Sequence, residues 1–203
     1  MNSIESAQKF RTHLQESRKG LPLNAKPNSL LKIIDHQLHR DGESLAIREY
    51  VPERLINTSP ILYFHGGGYV IGSIESHDPW LQFFSSKMGA RVFSLDYRLA
   101  PENKFPAALE DANLALEWIA KRNNLSIPSI SLCGDSAGAH LAASLSTHRS
   151  LNHQELPHSQ CLIYPMVDPS CSSKSQNNFK EGYFLTREAM IWFWKQLLSS
   201  QAD

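Results

Sequence analysis

The chain has 203 residues, of which 41% are hydrophobic and 9% aromatic, and its 20 basic residues are balanced by 20 acidic ones. That is enough apolar material for one core, so a single globular chain is expected, while zero net charge leaves no electrostatic footprint for nucleic acid or an anionic membrane. No run approaches the roughly 18 apolar residues of a membrane span, and three cysteines, Cys133, Cys161 and Cys171, are too few and too irregularly spaced for a disulfide framework or a zinc site.

Residues 1–20 read as an amphipathic helix, with Ile4, Phe10 and Leu14 set among Glu5, Lys9, Arg11, Glu16, Arg18 and Lys19. Without an apolar h-region this is not a secretory signal, which points to a cytoplasmic location. Pro22, Asn24, Pro27 and Asn28 break the pattern, so residues 1–28 are predicted to form a helical cap segment ahead of a domain over 29–203. Ile33 to His39 and Ser44 to Val51 flank Asp41-Gly42, which predicts an antiparallel hairpin that Pro52 ends.

From there the pattern alternates: strand 60–65, helix 76–88, strand 91–96, helix 106–122, strand 129–134, helix 136–149, strand 159–164. Alternation of this kind predicts an α/β fold whose sheet is mostly parallel, with helices on both faces. Cys133 and Cys161 fall in these strands and are expected to be buried thiols. Beyond Pro165 the alternation stops. Residues 170–178 read as a polar loop and Thr186 to Leu198 as a helix with Thr186 at its N-cap. The aromatic face of that helix, Trp192, Phe193 and Trp194 with Ile191 and Leu197, is either core or a lid over an acyl pocket.

Two glycine-rich turns carry the chemistry. Gly134-Asp135-Ser136-Ala137-Gly138 sits between a β-prone run and a helical one, and a sharp turn there strains the backbone of Ser136, holds it out at the sheet edge and demands small residues at 134 and 138. The Ala137 amide, in the first helical turn, can point at a developing oxyanion with the helix dipole behind it. His65-Gly66-Gly67-Gly68 follows the strand-like Ile61-Leu62-Tyr63-Phe64 and exposes backbone N–H groups without side-chain obstruction. Right-handed crossovers would bring both turns to the carboxyl edge of one sheet.

With these motifs the sequence resembles the hormone-sensitive-lipase group of α/β-hydrolases. The resemblance is carried by His65 to Ser73, by Asp96-Tyr97-Arg98-Leu99-Ala100-Pro101-Glu102, by Phe105 to Asp111, by Gly134 to Ala142 and more weakly by Leu162-Ile163-Tyr164-Pro165. It implies the α/β-hydrolase fold and hydrolysis of a small-molecule carboxylic ester of short or medium acyl chain, through a serine nucleophile and an acyl-enzyme, with no metal or cofactor. By the same resemblance Ser136 is the nucleophile, and the amides of Gly66, Gly67 and Ala137 form the oxyanion hole. His65, Gly68, Gly134, Asp135 and Gly138 support the two motifs, while Tyr97, Arg98 and Glu102 fix the loop after the fourth strand.

The triad order in this fold is serine, acid, histidine. Two further strand–helix units, roughly 60 residues, normally supply the last two members, and only five residues follow Leu198. The terminal strands are therefore expected to be missing and the chain to be poorly stable and nearly inactive alone. Of the histidines present, His140 is expected to point into packing, and His148, His153 and His158 to lie at the far edge of the sheet. His77 is the least implausible substitute base, with no evident companion acid, and Asp168 is an acid at the correct edge. A non-catalytic small-molecule-binding member of the fold, a half-enzyme completed by another chain, and a homodimer all stay open.

Overall fold

A computed structural model describes residues 3–18, 31–40 and 43–199 of the chain. An N-terminal helix, α1 (Ser3–Arg18), precedes a hairpin of β1 (Leu31–Arg40) and β2 (Glu43–Pro52). The hairpin strands pair without interruption from Leu31↔Pro52 to Arg40↔Glu43, longer at both ends than the hydrophobic pattern predicts. The predicted turn at Asp41-Gly42 and the predicted break at Pro22 to Asn28 lie outside the described residues.

The alternating part follows as β3 (Asn57–Phe64), α2 (Ile74–Met88), β4 (Ala90–Leu95), α3 (Ala107–Arg122), β5 (Ser131–Asp135), α4 (Ala137–Leu151) and β6 (Ser159–Ile163). One sheet in the order β1-β2-β4-β3-β5-β6 results. β1, β2 and β4 pair antiparallel in succession, and β4, β3, β5 and β6 pair parallel. This is the α/β fold expected, a mostly parallel sheet entered through an antiparallel hairpin.

The continuous apolar run Ile61-Leu62-Tyr63-Phe64 makes β3 a central strand because both of its faces are covered. Its side chains alternate between two cores. Leu62 and Phe64 join Phe93, Leu116, Ile119, Leu132 and Leu141 on the α3 and α4 side, whereas Ile61 and Tyr63 join Tyr50, Leu81, Val92 and Cys133 on the α2 side. Helix α2 starts two residues earlier than predicted. Ser73 and Ser76 form a reciprocal capping box that satisfies amides at the helix start.

Beyond β6, the polar stretch predicted as a loop contains one short helix, α5 (Lys174–Asn178), again opened by a capping box, here Ser173 with Gln176. Helix α6 (Arg187–Leu197) is capped by Thr186, whose side chain accepts from the Ala189 amide at 3.1 Å. Phe193, Trp194 and Leu197 of α6 are buried in the main core, while Ile191 and Trp192 are half-buried. One sequence expectation is corrected: Cys133 is buried, but Cys161 is exposed. Among the described residues β6 has a partner only on its β5 side, so an apolar composition does not secure burial for its central residue.

Helix α1 is held on this frame by Arg11. Its Nε donates to the Val70 carbonyl at 2.6 Å, its Nη2 to the Ala100 carbonyl at 2.7 Å, and the guanidinium grips both oxygens of Glu102. The Phe10 ring lies 6.2 Å from Trp192 and 6.4 Å from Phe193, so α1 and α6 meet above the glycine loop.

Candidate active site

β3 and β5 are parallel neighbours in register at Phe64↔Gly134, so the chain leaves both strands at the same edge and the two glycine-rich turns lie side by side. Ser136 has φ 53° and ψ −115°, a conformation that L-residues avoid and that surrounding structure must impose. Here the imposition is visible. The Ser136 amide donates to the Ile163 carbonyl at 2.9 Å, and its own carbonyl accepts from the His140 amide at 3.1 Å and from the Met166 amide at 3.3 Å. A side chain at Gly138 would run into the Phe64 carbonyl, which is why the helix can start so close to β3. The Ser136 hydroxyl does not cap α4, and no side chain among the described residues hydrogen-bonds to it.

The loop after β3 turns through Gly67 at φ 128° and Gly68 at φ 59°, closed by bonds from the Val70 and Ile71 amides to the Gly67 carbonyl, both 3.0 Å. The Gly66 amide donates to Asp135 Oδ1 at 2.8 Å. That bond removes Gly66 from the donor set expected from sequence, because an amide directed at a carboxylate is not available to an oxyanion. The amides of Gly67, Gly68 and Ala137 meet no acceptor among the described residues.

His65 lies fully buried beneath the loop, stacked on Tyr97 with ring centroids 4.3 Å apart, and its Nδ1 is 2.9 Å from the Gly66 carbonyl. Burial pushes its pKa down to about 4, the nearby Gly66 carbonyl opposing, so the ring is neutral at ordinary pH. Asp135 accepts from the Tyr63 hydroxyl at 2.7 Å as well as from Gly66, and His77 Nε2 stands 3.4 Å from the same oxygen. Burial works against its charge, but the side-chain bonds from His77 and Tyr63 prevail and hold the carboxyl below the usual range. His77 thus has the companion acid that the sequence did not reveal.

The other candidates are engaged elsewhere. His140 Nδ1 is 2.8 Å from the Tyr69 hydroxyl and its ring packs edge-on against Trp194, with burial lowering its pKa. His148 lies in the last turn of α4, and the His158 amide bonds the Ile130 carbonyl ahead of β5, so these histidines sit at the amino edge of the sheet, opposite Ser136. Asp168 accepts from the amides of Ser170 and Ser172 and folds its own loop. Arg98 bridges to Asp111, the last residue of the Phe105 to Asp111 motif, at 2.7 Å, and Glu102 holds Arg11. Among the described residues no group of three or more His, Cys, Asp or Glu is placed to hold a metal ion, and no helix is long and apolar enough to cross a membrane.

Residues 61–203 match the family described as the alpha/beta hydrolase fold. The chain belongs to that family. Among its alpha/beta-hydrolase-fold relatives, an ethyl acetate hydrolase of Pseudomonas putida is 34% identical over 171 residues, covering 81% of this chain and 54% of the relative. Mouse hormone-sensitive lipase is 31% identical over 139 residues, 67% of this chain and 18% of that protein. A hyperthermophilic esterase from the archaeon Pyrobaculum calidifontis superimposes with a TM-score of 0.84 at 32% identity, over 97% of this chain and 66% of the other. These likenesses place the chain in the hormone-sensitive-lipase-like group of the fold, whose matched members bear the names of esterases and ester hydrolases. The chain spans about half the length of the curated relatives it matches.

Proposed function

We propose that the chain carries the nucleophile and oxyanion side of a serine carboxylesterase site acting on small esters. The Ser136 oxygen attacks the ester carbonyl carbon while its proton passes to a base, and the carbonyl π electrons move onto oxygen. The amides of Gly67, Gly68 and Ala137 receive that negative charge. Collapse of the tetrahedral intermediate expels the alcohol, which takes up the proton, and leaves an acyl-Ser136 ester that water hydrolyses in the reverse sense. The observation that carries this reading is the Ser136 backbone at φ 53°, imposed beside a loop whose Gly67 and Gly68 amides meet no acceptor among the described residues.

The proton acceptor is the open part of the site. His65, His77 and His140 each bond to groups other than Ser136. That observation favours a second reading, a small-molecule-binding member of the fold, and a third in which another polypeptide supplies acid and histidine. Intact-mass labelling of the purified chain with a fluorophosphonate separates them. Stoichiometric adduct that disappears in Ser136→Ala supports the esterase reading. A folded chain that stays unlabelled until a second polypeptide is added supports the completed half-enzyme, and one that never labels but still binds ester analogues supports the binding module.

A further inference from the structure

We propose that His77 is a positioning residue of the serine site, acting through the Asp135 carboxylate on the glycine loop. The inference rests on the ester-hydrolase reading of Ser136. Asp135 directly precedes Ser136, and its Oδ1 is where three segments converge: the Gly66 amide from the loop after β3 at 2.8 Å, the Tyr63 hydroxyl from β3 at 2.7 Å, and His77 Nε2 from α2 at 3.4 Å. A side chain at Gly66 would collide with the other carboxylate oxygen, so loop and elbow are in contact at this residue. An ionised carboxylate only accepts, so the Gly66 amide and the Tyr63 hydroxyl donate to it, and His77 Nε2 stands beside them in contact with the same oxygen.

The other ring nitrogen is also held. His77 Nδ1 is 2.7 Å from the Ser76 hydroxyl, and Ser76 is itself fixed by the capping box, accepting from the Ser73 amide at 2.9 Å while its own amide donates to Ser73 Oγ at 3.2 Å. Ser76 Oγ also reaches the Ser73 carbonyl at 2.8 Å, so the cap of α2 fixes Ser76, Ser76 holds the His77 ring from its Nδ1 side, and Nε2 is left facing Asp135. With both nitrogens occupied, His77 is not the base for Ser136. His77 instead holds the carboxylate in place, and the carboxylate in turn holds the Gly66 amide. If the carboxylate turns away, the Gly66 peptide rotates, and the amides of Gly67 and Gly68 that follow it lose their aim; donors of this kind act only when fixed in place beforehand.

The test compares the parent chain with His77→Phe and with His77→Gln, which retains an N–H close to the Nε2 position. Two readouts are taken: hydrogen exchange of the Gly66 amide by NMR, and fluorophosphonate labelling of Ser136 resolved into a saturating rate and a half-saturating concentration. Expected in His77→Phe are roughly tenfold faster Gly66 exchange and a roughly tenfold lower saturating rate at unchanged half-saturation, with His77→Gln recovering most of both. Unchanged Gly66 exchange in a folded His77→Phe chain overturns the proposal, as does loss in half-saturation alone. If the parent never labels, the esterase reading fails while Gly66 exchange still decides whether His77 holds the loop. Should His77→Phe not fold, Ser76→Ala, which releases Nδ1, is read by the same exchange measurement, and unchanged Gly66 exchange there also overturns the proposal.

Discussion

Tyr97 donates its hydroxyl to the backbone carbonyl of His65 at 2.7 Å while its ring stacks on that histidine's imidazole. One residue thereby satisfies a buried acceptor and clamps the ring at the root of the glycine loop. Tyr97→Phe keeps the stack and removes the donor, leaving a buried carbonyl unpaired at a cost of about 1–3 kcal/mol. A lower urea midpoint with an unchanged slope is the expected result.

Acid should weaken the fold through His65. Its pKa falls from 6.5 to about 4 on folding, with burial as the main cause, so below 6.5 the unfolded chain takes up the proton first. Stability is complete above pH 6.5 and drains away as pH falls toward 4, by about 3 kcal/mol for this group alone. Urea melts at pH 7.5, 6 and 5 should trace that slope, and His65→Asn should flatten it while lowering stability at pH 7.5.

Gly138 and Gly182 predict unequal costs for the same substitution. A methyl at Gly138 meets the Phe64 and His65 carbonyls, rigid backbone that cannot yield, whereas one at Gly182, at φ 83°, meets nothing within 4 Å. Gly138→Ala is expected to cost at least about 3 kcal/mol or to abolish soluble expression, and Gly182→Ala only the local strain of about 1–2 kcal/mol. Thermal melts of the two variants side by side check this.

Thiol reactivity should separate the three cysteines. Cys161 is exposed, Cys133 and Cys171 are buried, and burial together with the neighbouring Cys161 pushes the Cys133 thiol up to about 12. An aromatic disulfide reagent at pH 8 should titrate one thiol rapidly in the native chain and three in denaturant, with Cys161→Ser removing the fast phase.

Arg11→Ala should unseat α1 without unfolding the sheet. It removes bonds to the Val70 and Ala100 carbonyls and both contacts to Glu102, whose carboxyl Arg11 holds below its usual range. Limited proteolysis is expected to cut ahead of β1 at least several-fold faster, with the remainder of the chain still protected.

The order of strands and helices was legible because local period and caps set it: alternation in the hairpin, an apolar run in β3, glycine turns after β3 and β5. The direction of each loop amide was not. Which of three successive glycines turns its N–H toward a carboxylate depends on φ values of 128° and 59° and on Asp135, 69 residues away. Cys161 was misjudged because burial of a strand residue depends on its neighbours in the sheet rather than on its own hydrophobicity. His77 looked isolated for a related reason, its acid being the residue beside the serine and claimed in the motif for another purpose.

The grip of Arg11 on Val70, Ala100 and Glu102 reaches 59 to 91 residues along the chain. At roughly 5–20 residues added per second, Arg11 is synthesised roughly 5–18 seconds before Glu102 exists. Over that interval the seat of α1 is incomplete. The order in which the ribosome makes these segments thus runs opposite to the order in which α1 can be fixed, and the helix exists for seconds before all the groups that seat it do.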